Sequence, residues 1–226
     1  MPSKPLLVEF IGLPGAGKST ICRALAEQAG SGSDVHVPSI QRSLLDRMLR
    51  RSRMDYIASM GHLKTTFRRH PYVANGTLRM YLDGLRQTER DRRIQRMRRN
   101  ALVRDLVRHL TLQSRSAGGV YVMDEGVAQR GVSALLSGVS GRVIMHHYAN
   151  MPLADVYVYV EADDQIAAER LEQRDGKDWK RAAAKHYCEL IDHIQQRGRP
   201  IIRVSGERDP GESALIIHRE LQKYRA

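Results

Sequence analysis

The chain has 226 residues, 42% of them hydrophobic, and a formal net charge of +12. This length suits one sizeable α/β domain, and the hydrophobic content is too high for a disordered protein. No apolar run approaches the roughly 18 residues of a membrane span, and the isolated Cys22 and Cys188 are not spaced as a disulfide framework. We therefore expect a reduced, cytoplasmic protein that does not enter a membrane.

The positive charge is concentrated in one segment. Residues 42–115 contain 19 Lys and Arg against 6 Asp and Glu, so this segment carries +13 and the rest of the chain −1. Such a field attracts a polyanion, a membrane surface or a small anionic substrate. Charged segments are also often no more than solvated helix faces, and the sequence leaves that reading open.

The most informative motif follows the first predicted strand. The apolar run 6–11 leads directly into residues 12–20, GLPGAGKST, which fit the phosphate-binding P-loop pattern G-x-x-x-x-G-K-[ST]. Its inner glycines let successive backbone N–H groups face phosphate oxygens, and the following helix adds the positive end of its dipole. Lys18 is predicted to reach the β- and γ-phosphates, and Ser19 to bind Mg²⁺. The predicted nucleotide-binding residues here are Gly12, Pro14, Gly15, Ala16, Gly17, Lys18, Ser19 and Thr20.

The middle of the chain is predicted to be mostly helical. A short second strand is expected at 34–38, followed by an amphipathic helix over 40–49. Residues 86–99 hold seven arginines and only two apolar residues, which indicates either a solvated helix or a mobile insertion. The apolar spacing over 102–110 predicts one more amphipathic helix.

After residue 118 the pattern changes to apolar strands that alternate with helices. Strands are predicted over 119–126, 155–160 and 200–204, the first ending in two carboxylates. Helices are predicted over about 163–174, around residues 179–194, and after Pro210. This alternation favours a parallel sheet with helices on both faces.

Three candidates for catalysis lie at or just after the carboxyl end of the third predicted strand. Asp124 lies where an apolar strand ends, the usual place for the acid that holds Mg²⁺ in P-loop proteins. Glu125 is predicted to orient or deprotonate an acceptor hydroxyl, although one of the two acids could simply cap the next helix. Arg130, one turn further on, is a candidate for a substrate phosphate or an ordinary solvated residue.

Two further arginines suggest a lid. Arg170 and Arg174 are four residues apart and share one helix face, beside the polar turn 175–178. Positive charge that closes over a transferring phosphoryl group stabilises the transition state and excludes water. The alternative is a pair of surface salt bridges with Glu169 and Glu172.

The loop 205–210 follows the last predicted strand. The carboxyl edge of a parallel sheet is where α/β proteins bind ligands. Gly206 and Asp209 are therefore predicted to contact the nucleotide, with a plain connecting loop as the alternative.

Three stretches resemble the small P-loop kinases of the thymidylate-kinase-like and nucleoside-kinase-like type. They are residues 10–20, 122–126, and 151–160 with the helix that carries the two lid arginines. The resemblance implies a P-loop NTPase three-layer α/β sandwich with a five-stranded parallel sheet and a helical acceptor and lid region. It also implies an ATP donor, Mg²⁺, and an acceptor site formed by the helices between the second and third strands. On this basis residues 1–226 are expected to form one kinase-like domain with a basic helical insertion at about 40–116.

The sequence departs from these kinases on the acceptor side. Thymidylate kinases carry Asp-Arg after the third strand, where this chain has Asp124-Glu125-Gly126. Deoxynucleoside kinases have an acidic base after the second strand, where this chain has Val37-Pro38-Ser39. The acceptor is therefore not identified by the resemblance.

The leading hypothesis is an ATP-dependent kinase acting on a small acceptor such as a nucleotide, a nucleoside or a sugar phosphate, with an anionic compound favoured by the positive charge of the chain. The alternatives are a polynucleotide 5′-kinase or a nucleic-acid-binding P-loop NTPase that uses residues 42–115, and a nucleotide-gated module that docks an acidic partner. A homodimer is left open. The predicted catalytic residues are Lys18, Asp124, Glu125, Arg130, Arg170 and Arg174, with Ser19 and Asp124 as metal ligands.

Overall fold

Short runs of β-branched and aromatic residues form the strands, and amphipathic stretches between them form the helices. The computed structural model describes residues 4–30, 34–37, 68–113, 118–175 and 183–225. The strands are β1 (Leu6–Gly12), β2 (Val35–His36), β3 (Val120–Met123), β4 (Val156–Glu161) and β5 (Ile201–Ser205). The helices of this described part are α1 (Lys18–Ala29), α2 (Pro71–Ala74), α3 (Thr77–Thr88), α4 (Arg92–Gln113), α5 (Val127–Leu135), α6 (Gly141–Asn150), α7 (Asp164–Asp175), α8 (Ala183–Gln196) and α9 (Pro210–Gln222).

The chain divides into two compact units. The sheet unit comprises residues 1–37, 115–125 and 154–226, and the helical unit comprises residues 38–114 and 126–153. All five strands belong to the sheet unit and are parallel, in the order β2-β3-β1-β4-β5. The predicted α/β fold with a five-stranded parallel sheet is therefore confirmed, and the chain has the fold of a P-loop NTPase. The prediction that residues 1–226 form one domain with an insertion stays a prediction.

The core of the sheet unit lies around the central strand β1. Its side chains Leu7, Val8, Phe10 and Ile11 are at most 1% exposed, as expected for a strand covered on both faces. Helix α1 packs against α9, and both bury an apolar stripe. This arrangement holds the carboxyl end of β1, where the P-loop begins, in a rigid setting.

Asp155, which directly precedes β4 within the stretch 151–160, fixes the register between β1 and β4. Its Oδ2 accepts a hydrogen bond from the Leu7 N–H at 2.9 Å, and its own N–H donates to the Leu7 carbonyl at 2.9 Å. Arg199 lies 3.6 Å from the other carboxylate oxygen. This stretch of the sequence therefore has a structural role in closing the sheet.

The helical unit has an aromatic and polar core. Tyr72, Tyr81, His147 and Tyr148 are at most 1% exposed. The Tyr72 hydroxyl lies 2.6 Å from His147 Nδ1, and His147 Nε2 lies 3.1 Å from the Val127 carbonyl. A neutral imidazole with its proton on Nε2 satisfies both contacts, accepting from the tyrosine and donating to the carbonyl. His147 is thus a structural residue.

The arginine-rich run is helical where it is described. Residues 86–88 end α3 and residues 92–99 begin α4, so the solvated helix is the correct alternative. The predicted helix over 40–49, the turn 176–178 and Trp179 lie outside the described residues. In the part of the chain that the structure describes, no helix combines the length and apolar character needed to cross a membrane.

Candidate nucleotide-binding site

The P-loop lies at the carboxyl end of the central strand and passes directly into α1. The Ala16 N–H donates to the Leu13 carbonyl at 3.1 Å, which closes the turn. Gly15 has a φ of +86°, a conformation that L side chains rarely adopt, and a Cβ there would collide with the carbonyl oxygen of Ala167 in α7. The loop geometry therefore requires glycine at this position for two independent reasons.

Lys18 is the first residue of α1 and is only 6% exposed. Its Nζ donates to the carbonyls of Gly12 at 2.7 Å and Leu13 at 2.9 Å. These bonds hold the ammonium group over the loop that precedes it. The charge is thereby positioned at the phosphate cradle before any nucleotide arrives.

A cavity of about 540 Å³ opens beside the P-loop. Every residue that lines it belongs to the sheet unit. Its lining includes the loop, the exposed Ser19 and Thr20 at the start of α1, Glu125, and Arg170. The remaining wall is formed by residues 206–210 between β5 and α9. Most of the predicted donor-site residues thus line one space, but Gly12, Ala16 and Asp124 are not among the residues that line it.

The two adjacent carboxylates after β3 have different surroundings. Asp124 is 6% exposed, and its Oδ1 accepts a hydrogen bond from the Glu125 N–H at 3.1 Å. Glu125 is half-buried and lines the cavity. Asp124 follows β3, the strand that pairs with β1. A buried acid in this position suits a metal ligand of a P-loop protein, and an accessible acid suits contact with a substrate.

Helix α7 is hydrogen-bonded to the loop after β5. Arg170 Nη1 donates to the Gly206 carbonyl at 3.0 Å, and the Asp163 N–H donates to Glu207 Oε1 at 3.2 Å. Arg170 therefore lies at the cavity wall with one of its five N–H groups bonded to the loop. The side chain of Arg174 lies outside what the structure describes.

The loop 206–210 contains both predicted residues and others that we did not single out. Asp209 caps α9, because its Oδ1 accepts from the Gly211 N–H at 2.8 Å and the Glu212 N–H at 3.1 Å. Glu207, Arg208 and Pro210 also line the cavity. The sequence signal for these three residues was their place in the loop after the last strand, since they lie between or beside the predicted Gly206 and Asp209.

We predict that Gly206→Ala weakens nucleotide binding. An added Cβ would collide with the carbonyl oxygen of Ala16, a backbone atom that can move only with the P-loop itself. Overpacking of this kind typically costs about 1–3 kcal/mol. ATP affinity measured by calorimetry should fall by at least about tenfold. Gly141→Ala, where a Cβ meets nothing within 4 Å, is the matched control, and equal affinities for the two variants would contradict the prediction.

Arg130 lies in the helical unit and forms a buried ion pair. Its Nε lies 2.7 Å from Asp105 Oδ2, and Arg104 Nε lies 3.0 Å from Asp105 Oδ1. The Tyr81 hydroxyl donates to the Arg130 carbonyl at 2.8 Å, and burial raises the pKa of Tyr81, so this phenol stays protonated. The predicted contact between Arg130 and a substrate phosphate stays a prediction.

The residues present fit a magnesium nucleotide. The loop gives a cradle that glycine alone can form, with a buried lysine over it, an exposed Ser19 hydroxyl and a buried Asp124 carboxylate. Among the described residues no group of three or more His, Cys, Asp or Glu could hold a metal unaided. In phosphoryl-transfer sites Mg²⁺ is usually bound by one or two protein oxygens together with nucleotide phosphates and water.

The fold and this loop define a P-loop NTPase, a class of protein that binds nucleotides. A family model described as an AAA domain (AAA_18) matches residues 8–192. The chain therefore belongs to this family. No curated protein matches the chain significantly.

Solved structures of similar fold include small P-loop kinases. Deoxyadenosine kinase from M. mycoides, with dCMP and a flexible dCDP bound, is 15% identical at a TM-score of 0.53, covering 96% of this chain and 100% of that one. The same enzyme with bound dATP is 12% identical at a TM-score of 0.52, with the same coverage. A gluconokinase from Sinorhizobium meliloti 1021 is 14% identical over 100% of this chain and 95% of that one, but its TM-score of 0.41 supports no inference. The resemblance to small P-loop kinases is confirmed at the level of the fold.

Proposed function

We propose that this protein is an ATP-dependent kinase that transfers the γ-phosphoryl group to a small, anionic acceptor. The observation that carries the proposal is the cavity beside the P-loop. A buried lysine at the phosphate cradle, an accessible carboxylate and an arginine on a neighbouring helix line one space. Phosphoryl transfer needs this combination, because it depends on positioning and on charge stabilisation more than on covalent chemistry.

Each residue has a proposed role in that reaction. Lys18 neutralises charge on the β- and γ-phosphates, and Ser19 and Asp124 hold Mg²⁺, which lowers the charge on the phosphate oxygens when it is bound. Glu125 orients the acceptor or removes its proton. Arg170 and Arg174 bring positive charge to the transferring group. Gly206 and Asp209 form the wall beside the nucleotide.

The acceptor is proposed to be anionic because of the charge of the helical unit. Residues 42–115 carry a net charge of +13, which attracts a phosphorylated compound. Arg130 is retained as a proposed contact to that compound. We further propose that residues 1–226 act as one kinase domain in which the basic segment at about 40–116 is the insertion that selects the acceptor.

The proposal is tested by measuring ATP consumption with Mg²⁺ over nucleosides, nucleotides, sugars, sugar phosphates and short oligonucleotides. The deoxyadenosine kinase of similar fold binds dATP, so deoxynucleosides and their monophosphates come first. We expect ADP formation that depends on one class of small acceptor, with a phosphorylated product seen by mass spectrometry. ATP hydrolysis without transfer to any acceptor would contradict the kinase assignment.

Arg170 should affect the rate of transfer more than ATP binding. We predict that Arg170→Gln lowers kcat by about 10- to 100-fold, because a positive charge at the transferring group is lost. Steady-state kinetics at saturating ATP give kcat for Arg170→Gln and for its control, Arg203→Gln. Arg203→Gln removes an exposed arginine of the same unit that is paired with Glu161 and does not line the cavity. A change in the KM for ATP alone, with kcat unchanged, would show that Arg170 only holds the loop at Gly206.

A further inference from the structure

The helical unit contains a second cavity, of about 200 Å³, between α3 and α4. Four arginines line it, Arg86, Arg92, Arg96 and Arg99, together with Gln95 and two leucines of α3. None of these lining residues is acidic or aromatic. We refer to this space with its four arginines as the arginine groove.

Three of the four arginines lie along one exposed stripe of α4. Positions 92, 96 and 99 follow the spacing i, i+4, i+7, which places them along one stripe of the helix. Further along the helix, Leu102, Leu106 and Leu110 are at most 5% exposed. Over residues 92–99 of α4 the half-buried residues are Ile94, Gln95 and Arg98, so the three groove arginines border the inner face of the helix and are themselves exposed.

The charges in the groove are only partly compensated. Arg86 Nη1 lies 3.1 Å from Asp83 Oδ1, and Glu89 lies 3.6 Å from Arg98, which does not line the groove. Arg92 and Arg96 form no ion pair within the described residues. Like charges four residues apart on a helix repel each other, so an anion placed between these side chains would relieve an unfavourable interaction.

We propose that the arginine groove binds the phosphate groups of a ligand that carries at least two of them. The planar fork of each guanidinium matches phosphate oxygens with two parallel hydrogen bonds. Gln95 stabilises the groove, because its Nε2 donates to the Glu89 carbonyl at 3.0 Å and to the Arg86 carbonyl at 3.3 Å, which fixes the connection between α3 and α4. The absence of aromatic lining residues indicates recognition of phosphate rather than of a stacked base.

This site shares no residue with the donor cavity of the proposed kinase, although its arginines belong to the basic segment that is proposed to select the acceptor. All its lining residues belong to the helical unit, whereas the donor cavity is lined by the sheet unit alone. The groove can therefore fail its test while the kinase assignment stands, and the reverse also holds.

The test compares two double variants that remove equal charge. Arg92→Gln/Arg96→Gln changes the groove, and Arg90→Gln/Arg93→Gln changes neighbouring exposed arginines that do not line it. Both variants and the parent carry Lys18→Ala, so that the P-loop does not bind the probes. The probes are inorganic tripolyphosphate, measured by calorimetry, and a labelled single-stranded oligodeoxynucleotide, measured by fluorescence anisotropy.

We expect the groove variant to bind at least one probe at least about tenfold more weakly than the parent, because about two charge-assisted contacts are lost. The control variant should bind less than about threefold more weakly than the parent. If the parent binds the oligonucleotide more tightly than tripolyphosphate, the source of the phosphates is a nucleic-acid backbone. If it binds tripolyphosphate as tightly or more tightly, the source is a small phosphorylated compound. Equal losses in both variants, or no binding of either probe to the parent, would overturn the proposal.

A conservative pair keeps the test valid if the glutamine variant unfolds. Arg92→Lys/Arg96→Lys retains the charge and removes the planar fork, and Arg90→Lys/Arg93→Lys is its control. Circular dichroism and thermal unfolding confirm that each protein is folded. Weaker phosphate binding by the first lysine pair alone supports the groove, and unchanged binding by both overturns it.

Discussion

Lys18→Ala is expected to lower phosphoryl transfer from ATP by at least about 100-fold, the usual effect of removing one preorganised charge from a transition state. The lysine is 6% exposed and held over the loop by the carbonyls of Gly12 and Leu13, so its ammonium group is already in place when the nucleotide binds. Few other substitutions in this chain should have so large an effect. The measurement is ADP formation with the acceptor identified in the screen.

Arg23→Ala is the matched control for this substitution. Arg23 lies on the same helix α1, is exposed, and does not line the cavity, so the variant loses one positive charge outside the site. We expect its kcat to stay within about twofold of the parent, as for most surface changes. If Lys18→Ala is folded by circular dichroism and retains full turnover, the P-loop is not the site of phosphoryl transfer and the proposed function is wrong.

The local parts of the site were predictable because they depend on neighbouring residues. The P-loop spacing fixes which N–H groups face one direction, and the five strands follow from short apolar runs separated by helices. The cap at Asp209 is equally local, because its carboxylate bonds to residues two and three positions further along the chain. The loop predicted to contact the nucleotide lines the cavity, and within it the Asp209 carboxylate bonds to the helix that follows.

The long-range contacts were not predictable from the same patterns. Gly206 looks like an ordinary turn glycine, yet the reason for it is a close approach to Ala16, 190 positions earlier. Arg130 is predicted to contact a phosphate because it lies one turn after Asp124 and Glu125. In the structure its guanidinium forms an ion pair with Asp105, a buried acid of α4. Neither contact leaves a periodic or motif signal, because each joins residues that only the tertiary fold brings together.

The charge of the chain illustrates the same limit. The sequence shows that residues 42–115 are strongly basic, but it does not show which arginines share a space. The structure separates Arg92 and Arg96, which line the groove, from Arg90 and Arg93, which do not. That distinction turns a general expectation of anion binding into a comparison between two variants of equal charge.

Asp124→Asn and Glu125→Gln are expected to impair the enzyme in different ways. Asn keeps the volume of the aspartate and an oxygen that can accept from the Glu125 N–H, while the negative charge is lost. We predict that the Mg²⁺ concentration for half-maximal activity rises by about 10- to 100-fold in Asp124→Asn. Glu125→Gln should instead lower kcat by about 10²- to 10⁴-fold, the contribution of a positioned general base, at an unchanged Mg²⁺ requirement.

Mg²⁺ titrations of ATP turnover separate the two roles, with Glu27→Gln on the exposed side of α1 as the control. The environments of the two acids are the physical reason for the difference, because Asp124 is buried at the end of β3 while Glu125 faces the cavity. A shift in the Mg²⁺ requirement for Glu125→Gln and not for Asp124→Asn would reverse the assignment. If neither substitution moves it, neither acid holds the metal, and Ser19 must act with ligands from the nucleotide and water alone.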